Sequence, residues 1–242
     1  YTGSMDSIGA IPSYDAMRTV ITVLASGNPA INEKLVSGPY EVGGVAPMGA
    51  AYLFVKDRTI DTVGELSGKS IAVLEYDTAQ ANMASRVGMS PVMSDITNFS
   101  GRFNNGSVDI CFAPIAAYSA LELYKGMQPD GGIIDYVLGQ LTAQVILKKD
   151  KFPADFAAQS RKYMLSQFDR AMRVIENANS EVNKKWWIRI PEADKLRYDE
   201  MLREARIALT KDGTYSKDMM SLLRKVRCKH EASRAECVNP VE

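Results

Sequence analysis

Apolar and polar residues alternate along this chain in three distinct regimes. Residues 1–50 carry one stretch of helical period, Tyr14 to Leu24, between loops rich in Gly and Pro such as SGNPA and EVGGVAPMG. From residue 51 short apolar runs come at regular intervals: AAYLFVK, then Ile71-Ala72-Val73-Leu74, Pro91 to Met93, Val108 to Ala113, Ile133 to Leu138 and Leu141 to Leu147. Between them lie helical segments: a turn at Val63 to Leu66, a helix capped by Asp77 or Thr78 that runs to Val87, one at 98–105, and one opened by Pro114. Strand and helix alternating at this spacing predict an α/β fold with a parallel-rich sheet and right-handed crossovers. From Pro153 to Arg227 the pattern becomes helical, with Phe156, Tyr163, Met164, Phe168, Met172 and Ile175 at three- and four-residue spacing. Pro191 and Gly213 divide it into at least three helices.

The stretch LSGKSIAVLEYDT poses the chemical question. A buried strand ends in Glu75, Tyr76 and Asp77, and such residues either start the next helix or line a ligand site. Composition narrows the options. Lys plus Arg equals Asp plus Glu, 29 each, so no bulk charge recruits nucleic acid or an anionic membrane. No apolar run approaches the ~20 residues of a membrane-spanning helix. A single histidine, His230, leaves no histidine triad or histidine metal cluster. No dinucleotide fingerprint follows a strand, no phosphate loop occurs, and no nucleophile elbow is present. Chemistry through Glu75 or Asp77 as a general base has no further support, and no cofactor is expected.

Cys111 lies in an apolar run and reads as a buried thiol. Cys228 and Cys237 flank the polar segment KHEASRAE, and their preferred reading is a disulfide stapling a short tail in an oxidising compartment. The rival is a metal site of Cys228, His230 and Cys237, which lacks a fourth ligand. Tyr1 is not an initiator and no targeting signal opens the chain, so it reads as a processed form or a piece whose beginning lies elsewhere.

The run from Thr62 to Lys185 resembles a known family. TVGELSGKSIAVLEYDTAQANMASRVGMSPVMSD, NNGSVDICFAPIAAYSALELY and GQLTAQVILKKDKFPADFAAQSRKYMLSQFDRAMRVIENANSEVNKKWW are similar, in order and spacing, to segments of TRAP-type periplasmic solute-binding proteins. Within that family the chain looks nearest to an AdeT-like, efflux-associated branch. The resemblance implies a two-lobed α/β fold of the periplasmic-binding-protein kind, with hinge strands and a helical C-terminal region. It divides the chain into 1–50 as the remainder of lobe I, 51–138 as lobe II, 139–190 as hinge strand and bracing helix, and 191–242 as C-terminal helices and disulfide tail. It also implies that an opening β-α-β unit of lobe I is missing here.

The implied function is non-enzymatic: capture of a small solute between lobes and delivery to membrane permease subunits, in the periplasm. Ligand-binding candidates are Glu75, Tyr76, Asp77, Arg102, Ala113 and Pro114. The family's clamp arginine falls at Ala72 and its asparagine at Ala113, so both usual anchors for an organic acid are replaced. Arg102, Arg58 or Arg86 would have to substitute; otherwise Glu75, Tyr76 and Asp77 form an acidic, aromatic pocket for a cationic solute. An interaction or efflux-associated protein on the same scaffold, without a working pocket, is the alternative.

Overall fold

The computed structural model describes residues 1–241. The chain forms two compact units, each assembled from separate stretches.

The first unit comprises Tyr1–Gly49, Gly139–Ile175 and Tyr215–Glu242. Helix α1 (Tyr14–Ala25) begins at Ser13, whose hydroxyl accepts the Ala16 N–H at 3.2 Å, and buries Met17, Val20, Ile21 and Leu24. Helix α2 (Pro29–Lys34) has Asn28 as its cap. A short strand β1 (Val36–Ser37) turns into β2 (Tyr40–Val55), which pairs also with β7 (Gly139–Lys148). Helices α7 (Phe156–Ser166) and α10 (Lys217–His230) pack on α1, and α8 (Phe168–Ser180) follows α7. The terminal helix α11 (Ala235–Val238) folds back on α10.

The segment EVGGVAPMG, read above as loop, lies inside β2. Glycine is what permits a strand there. A Cβ on Gly43 would lie 2.6 Å from Leu147 Cδ1, and one on Gly44 would lie 2.4 Å from Met164 Cγ. Two arginines of this unit are buried and engaged. Arg161 donates to Glu41 Oε1 and to the Val42 carbonyl, each at 2.8 Å. Arg227, with no exposed surface, donates to Glu236 Oε1 and to the Ala10 carbonyl, each at 2.9 Å. Such pairs are tolerated because every charge finds a partner. Cys228 and Cys237 form a disulfide with Cα atoms 5.5 Å apart, joining α10 to α11.

The second unit comprises Ala50–Leu138 and Glu176–Thr214. Its strands are β3 (Ser70–Leu74), β4 (Ser90–Ser94), β5 (Ile110–Pro114), β6 (Gly132–Ile134) and β8 (Trp187–Ile188), with the end of β2. Their order is β4-β3-β5-β2-β6-β8. β3 runs parallel to β4 and β5, as the alternation predicts, whereas β2 is antiparallel to β5 and β6. Helices α3 (Thr78–Arg86) and α4 (Phe99–Asn104) make the crossovers. Pro114 ends β5 instead of opening a helix, and two short helices follow, α5 (Ala117–Ala120) and α6 (Tyr124–Met127). The run expected as a strand to Leu138 pairs only through Ile134. Helix α9 (Glu192–Lys211) closes the unit over a buried Tyr198. The core on one sheet face gathers Phe54, Ala72, Phe103, Cys111, Ala113 and Ile133.

Helical spacing misplaced two aromatics. Phe156 and Tyr163 are 38% and 62% exposed, because α7 buries Ala157 and Arg161 in their stead. Met164, Phe168 and Ile175 do turn inward or lie half-buried.

Candidate functional site

The parallel strands β3, β4 and β5 end together in the second unit. Leu74 is in register with Ser94, and the next N–H, of Glu75, still donates to the Ser94 carbonyl at 2.9 Å. The chain then turns: the Asp77 N–H donates to the Leu74 carbonyl at 2.8 Å, and the Asp77 carboxylate accepts the Gln80 N–H at 2.9 Å. Asp77 is therefore the N-cap of α3. Glu75 and Tyr76 are exposed, Tyr76 by 70%, and neither side chain makes a hydrogen bond among the described residues. Ala113 faces Tyr52 across the β2–β5 ladder and is 1% exposed, while Pro114 is paired with Ala51 at the strand end. Ala72, where the resemblance sets the clamp arginine, is 3% exposed within the core. The ends of β3 and β5 thus lie side by side, with Glu75 and Tyr76 exposed, Asp77 and Pro114 half-buried, and Ala113 within the core.

Arg102 stands on α4, half-buried, and its Nε has no hydrogen-bond partner among the described residues. It belongs to the surroundings of Asp95. The Thr97 hydroxyl and N–H, then the Asn98 N–H and the Arg102 charge, hold the Asp95 carboxyl below the usual aspartate range. The other arginines considered as anion anchors are placed elsewhere. Arg58 donates to the carbonyls of Gly131, Lys185 and Trp187 at 3.1, 3.0 and 3.0 Å, tying loops together. Arg86 borders a separate hollow of about 550 Å³ with Val87, Arg197, Glu200 and Glu204.

A groove of about 670 Å³ opens beside Tyr52, lined also by Asp135, Asn179, Lys184, Trp187 and Arg189. The sequence builds it locally. β8 pairs with β6 through Ile133↔Trp187, and the Asp135 N–H donates to the Ile188 carbonyl at 2.9 Å. The Asn183 side chain accepts the Lys185 N–H at 3.0 Å and starts the turn that buries Trp186 and leaves Trp187 half-exposed. Arg58 fixes the Trp187 carbonyl from behind. The Tyr52 and Trp187 rings meet edge to face, centroids 5.1 Å apart at 77°. Two exposed cations, Lys184 and Arg189, face one exposed carboxylate, Asp135. Aromatic walls with a surplus of positive charge suit a small molecule that has an apolar or planar body and an acidic group.

The sequence pattern places Tyr52 in a strand and gives no role to Asp135, Asn179, Lys184, Trp187 or Arg189. The available signal was the segment KKWWIRI, where adjacent indoles sit among cations.

All 242 residues match the family described as solute-binding protein AdeT 1/2. The chain belongs to that family. It is 43% identical over 237 residues to the probable solute-binding protein AdeT1 of Acinetobacter baumannii, covering 98% of this chain and 77% of the relative. Identity to the probable solute-binding protein AdeT2 of the same organism is 26% over 235 residues, covering 97% and 98%. Among solved structures, a TRAP periplasmic solute-binding protein from Desulfovibrio desulfuricans with bound sn-glycerol-3-phosphate superposes with a TM-score of 0.76 at 15% identity, covering 97% of this chain and 75% of that one. One from Desulfovibrio salexigens with bound orotic acid gives 0.74 at 15% identity, covering 93% and 74%. The fold of this family member is therefore that of the TRAP solute-binding proteins, and its role is to bind a solute.

Other reactive groups do not line the groove. Burial pushes the Cys111 thiol up to about 12, which suppresses the thiolate. Cys228 and Cys237 are consumed by their disulfide, and the His230 ring lies 3.0 Å from the Thr19 hydroxyl. Among the described residues no group of three or more His, Cys, Asp or Glu is placed to hold a metal ion, and no helix is long and apolar enough to cross a membrane.

Proposed function

We propose that this family member captures a small organic acid without transforming it, and presents it to a membrane permease from the periplasm. The observation that carries the reading is the Tyr52–Trp187 pair beside Lys184 and Arg189. A planar or aliphatic body packs on the rings while an acidic group meets the cations. This assigns the anion anchor to the segment after α8, since Ala72 and Ala113 carry none. The organic anions bound by the TRAP proteins of like fold support the class of solute.

Glu75, Tyr76, Asp77, Arg102, Ala113 and Pro114 form the neighbouring rim in this proposal, with Glu75 and Tyr76 free to meet a polar part of the solute. That freedom favours a second reading, a cationic or amphipathic solute drawn to Glu75 and Tyr76 through ion pairing and ring contact.

Calorimetric titration with organic acids, amino acids, polyamines and cationic drugs separates the two. The first reading expects a hit among the acids, weakened at least about tenfold by Trp187→Ala and by Lys184→Glu with Arg189→Glu. Hits confined to cations, lost in Glu75→Gln, establish the second. Heat from none of the panel overturns both and leaves the scaffold an interaction role.

A further inference from the structure

The first unit carries a row of exposed aromatic side chains that are not among those lining the groove. Phe152, Phe156 and Tyr163 are 40%, 38% and 62% exposed. Phe152 stacks on Phe156 with centroids 4.8 Å apart and planes 21° apart. Tyr163 follows Phe156 by seven residues on α7, which puts both on one face about 10 Å apart along the axis. Apolar rings kept in contact with water and aligned in this way mark a surface that meets something.

The surroundings say what. Lys148, Lys149 and Lys151 lead into Phe152, and Lys162 precedes Tyr163 on α7; all four are exposed, as are the carboxylates Asp150 and Asp155. Asp150 lies 3.8 Å from both Lys148 and Lys151, a solvent-exposed contact too long to neutralise either. The Asp155 carboxylate is turned to the Gln159 amide. Beside Phe152 a hollow of about 300 Å³ is lined by Leu147, Ala154, Ala157, Lys149 and Glu41, whose carboxylate is already paired with Arg161. Flexible lysines are point charges that suit a diffuse array of anions better than a single shaped partner. Rings at the centre and ammonium groups around them match the layering of a bilayer boundary, where aromatic rings sit at headgroup level and cations meet lipid phosphates.

We propose that this face of the first unit docks on an anionic lipid surface, with Phe152, Phe156 and Tyr163 entering the headgroup layer and Lys148, Lys149, Lys151 and Lys162 bound to its phosphates. The docking is peripheral and reversible. It keeps a solute carrier close to the plane of the membrane and needs neither the groove nor its solute.

Cosedimentation of the whole, disulfide-intact chain with vesicles tests this. Vesicles of phosphatidylethanolamine and phosphatidylglycerol at about 7:3 are compared with phosphatidylcholine, at low and high salt. The proposal expects at least about tenfold stronger partitioning to the anionic vesicles at low salt, and release at high salt. Phe152→Ser with Phe156→Ser and Tyr163→Ser lowers the partitioning at least about tenfold, and Lys148→Glu with Lys149→Glu and Lys151→Glu abolishes the lipid preference. Both variants are checked for an unchanged melting transition; should the aromatic variant fail it, the lysine variant decides. Equal recovery with both vesicle types, or binding indifferent to the lysine variant, overturns the proposal. So does competition by soluble polyglutamate as strong as that by anionic vesicles, which assigns the face to an acidic protein. A dimer in sedimentation equilibrium that the aromatic variant abolishes assigns it to a second copy of the chain and likewise overturns it.

Discussion

Asp77 shows how one carboxylate serves two readings. Its side chain accepts the Gln80 N–H and so satisfies one of the orphan donors of the first turn of α3. Asp77→Ala should lower stability by about 1 kcal/mol and Asp77→Asn by a few tenths, measured by urea denaturation. If Asn preserves stability but removes solute binding, Asp77 also meets the solute. The cap was legible in the sequence, since Asp before a run of small helix formers needs only local bonds. Asp109 is a second case. Burial disfavours its charge, but the Ser70 N–H and hydroxyl, at 2.8 and 2.7 Å, with Lys69 and Lys56 nearby, outweigh it and hold the carboxyl below the usual range. A folded value below the unfolded one of about 3.9 stabilises above that pH and loses the contribution as pH falls through the folded value. Asp109→Asn should therefore cost about 1 kcal/mol at pH 7, a figure discounted for partial exposure, and the difference should close in acid. Urea midpoints of both proteins along a pH series check this.

At the scale of elements, the pairing of β6 with β8 depends on Gly132. A Cβ there would lie 2.5 Å from the Trp186 carbonyl and 2.7 Å from Ile188 Cγ1. The carbonyl belongs to backbone and cannot rotate aside. Gly132→Ala should cost about 1–3 kcal/mol and displace Trp187, so that a lower melting temperature and a weaker solute response appear together. Nothing in the local sequence announced this, because the constraint comes from a strand more than fifty residues away. The tail element was legible in part. Cysteines on either side of a polar segment suggested a staple, and the structure adds that the bond holds α11, with Glu236, against the buried Arg227. Cys228→Ser with Cys237→Ser should destabilise by about 2–3 kcal/mol in urea, as loop closure of this length predicts. Helix α7 was the element most misread. Its period was visible, but which face is buried depends on what packs there, and here Arg161 turns inward to Glu41 while Phe156 and Tyr163 turn out.

For the whole molecule, solute binding is a stability statement. A solute that binds only the folded chain adds about 2.7 kcal/mol at about 100 times its dissociation constant, and the gain grows with the logarithm of concentration without saturating. Calorimetric melting temperatures should rise on that law over several decades of solute, and the Trp187→Ala variant should reach a given rise only at higher concentration. The sequence by itself determined the α/β alternation, a parallel-rich sheet, a helix cap at Asp77 or Thr78, and the family resemblance. All of these are carried by local periodicity, turn chemistry and ordered spacing. Tertiary structure alone decided that Gly43 and Gly44 lie within a strand, that Arg58 is occupied by carbonyls, and that Tyr52 and Trp187 meet beside Lys184 and Arg189. The physical reason is common to all three. A side chain's role depends on partners far away in sequence, and a one-dimensional pattern records which residues are apolar or charged but not which of them the fold brings face to face.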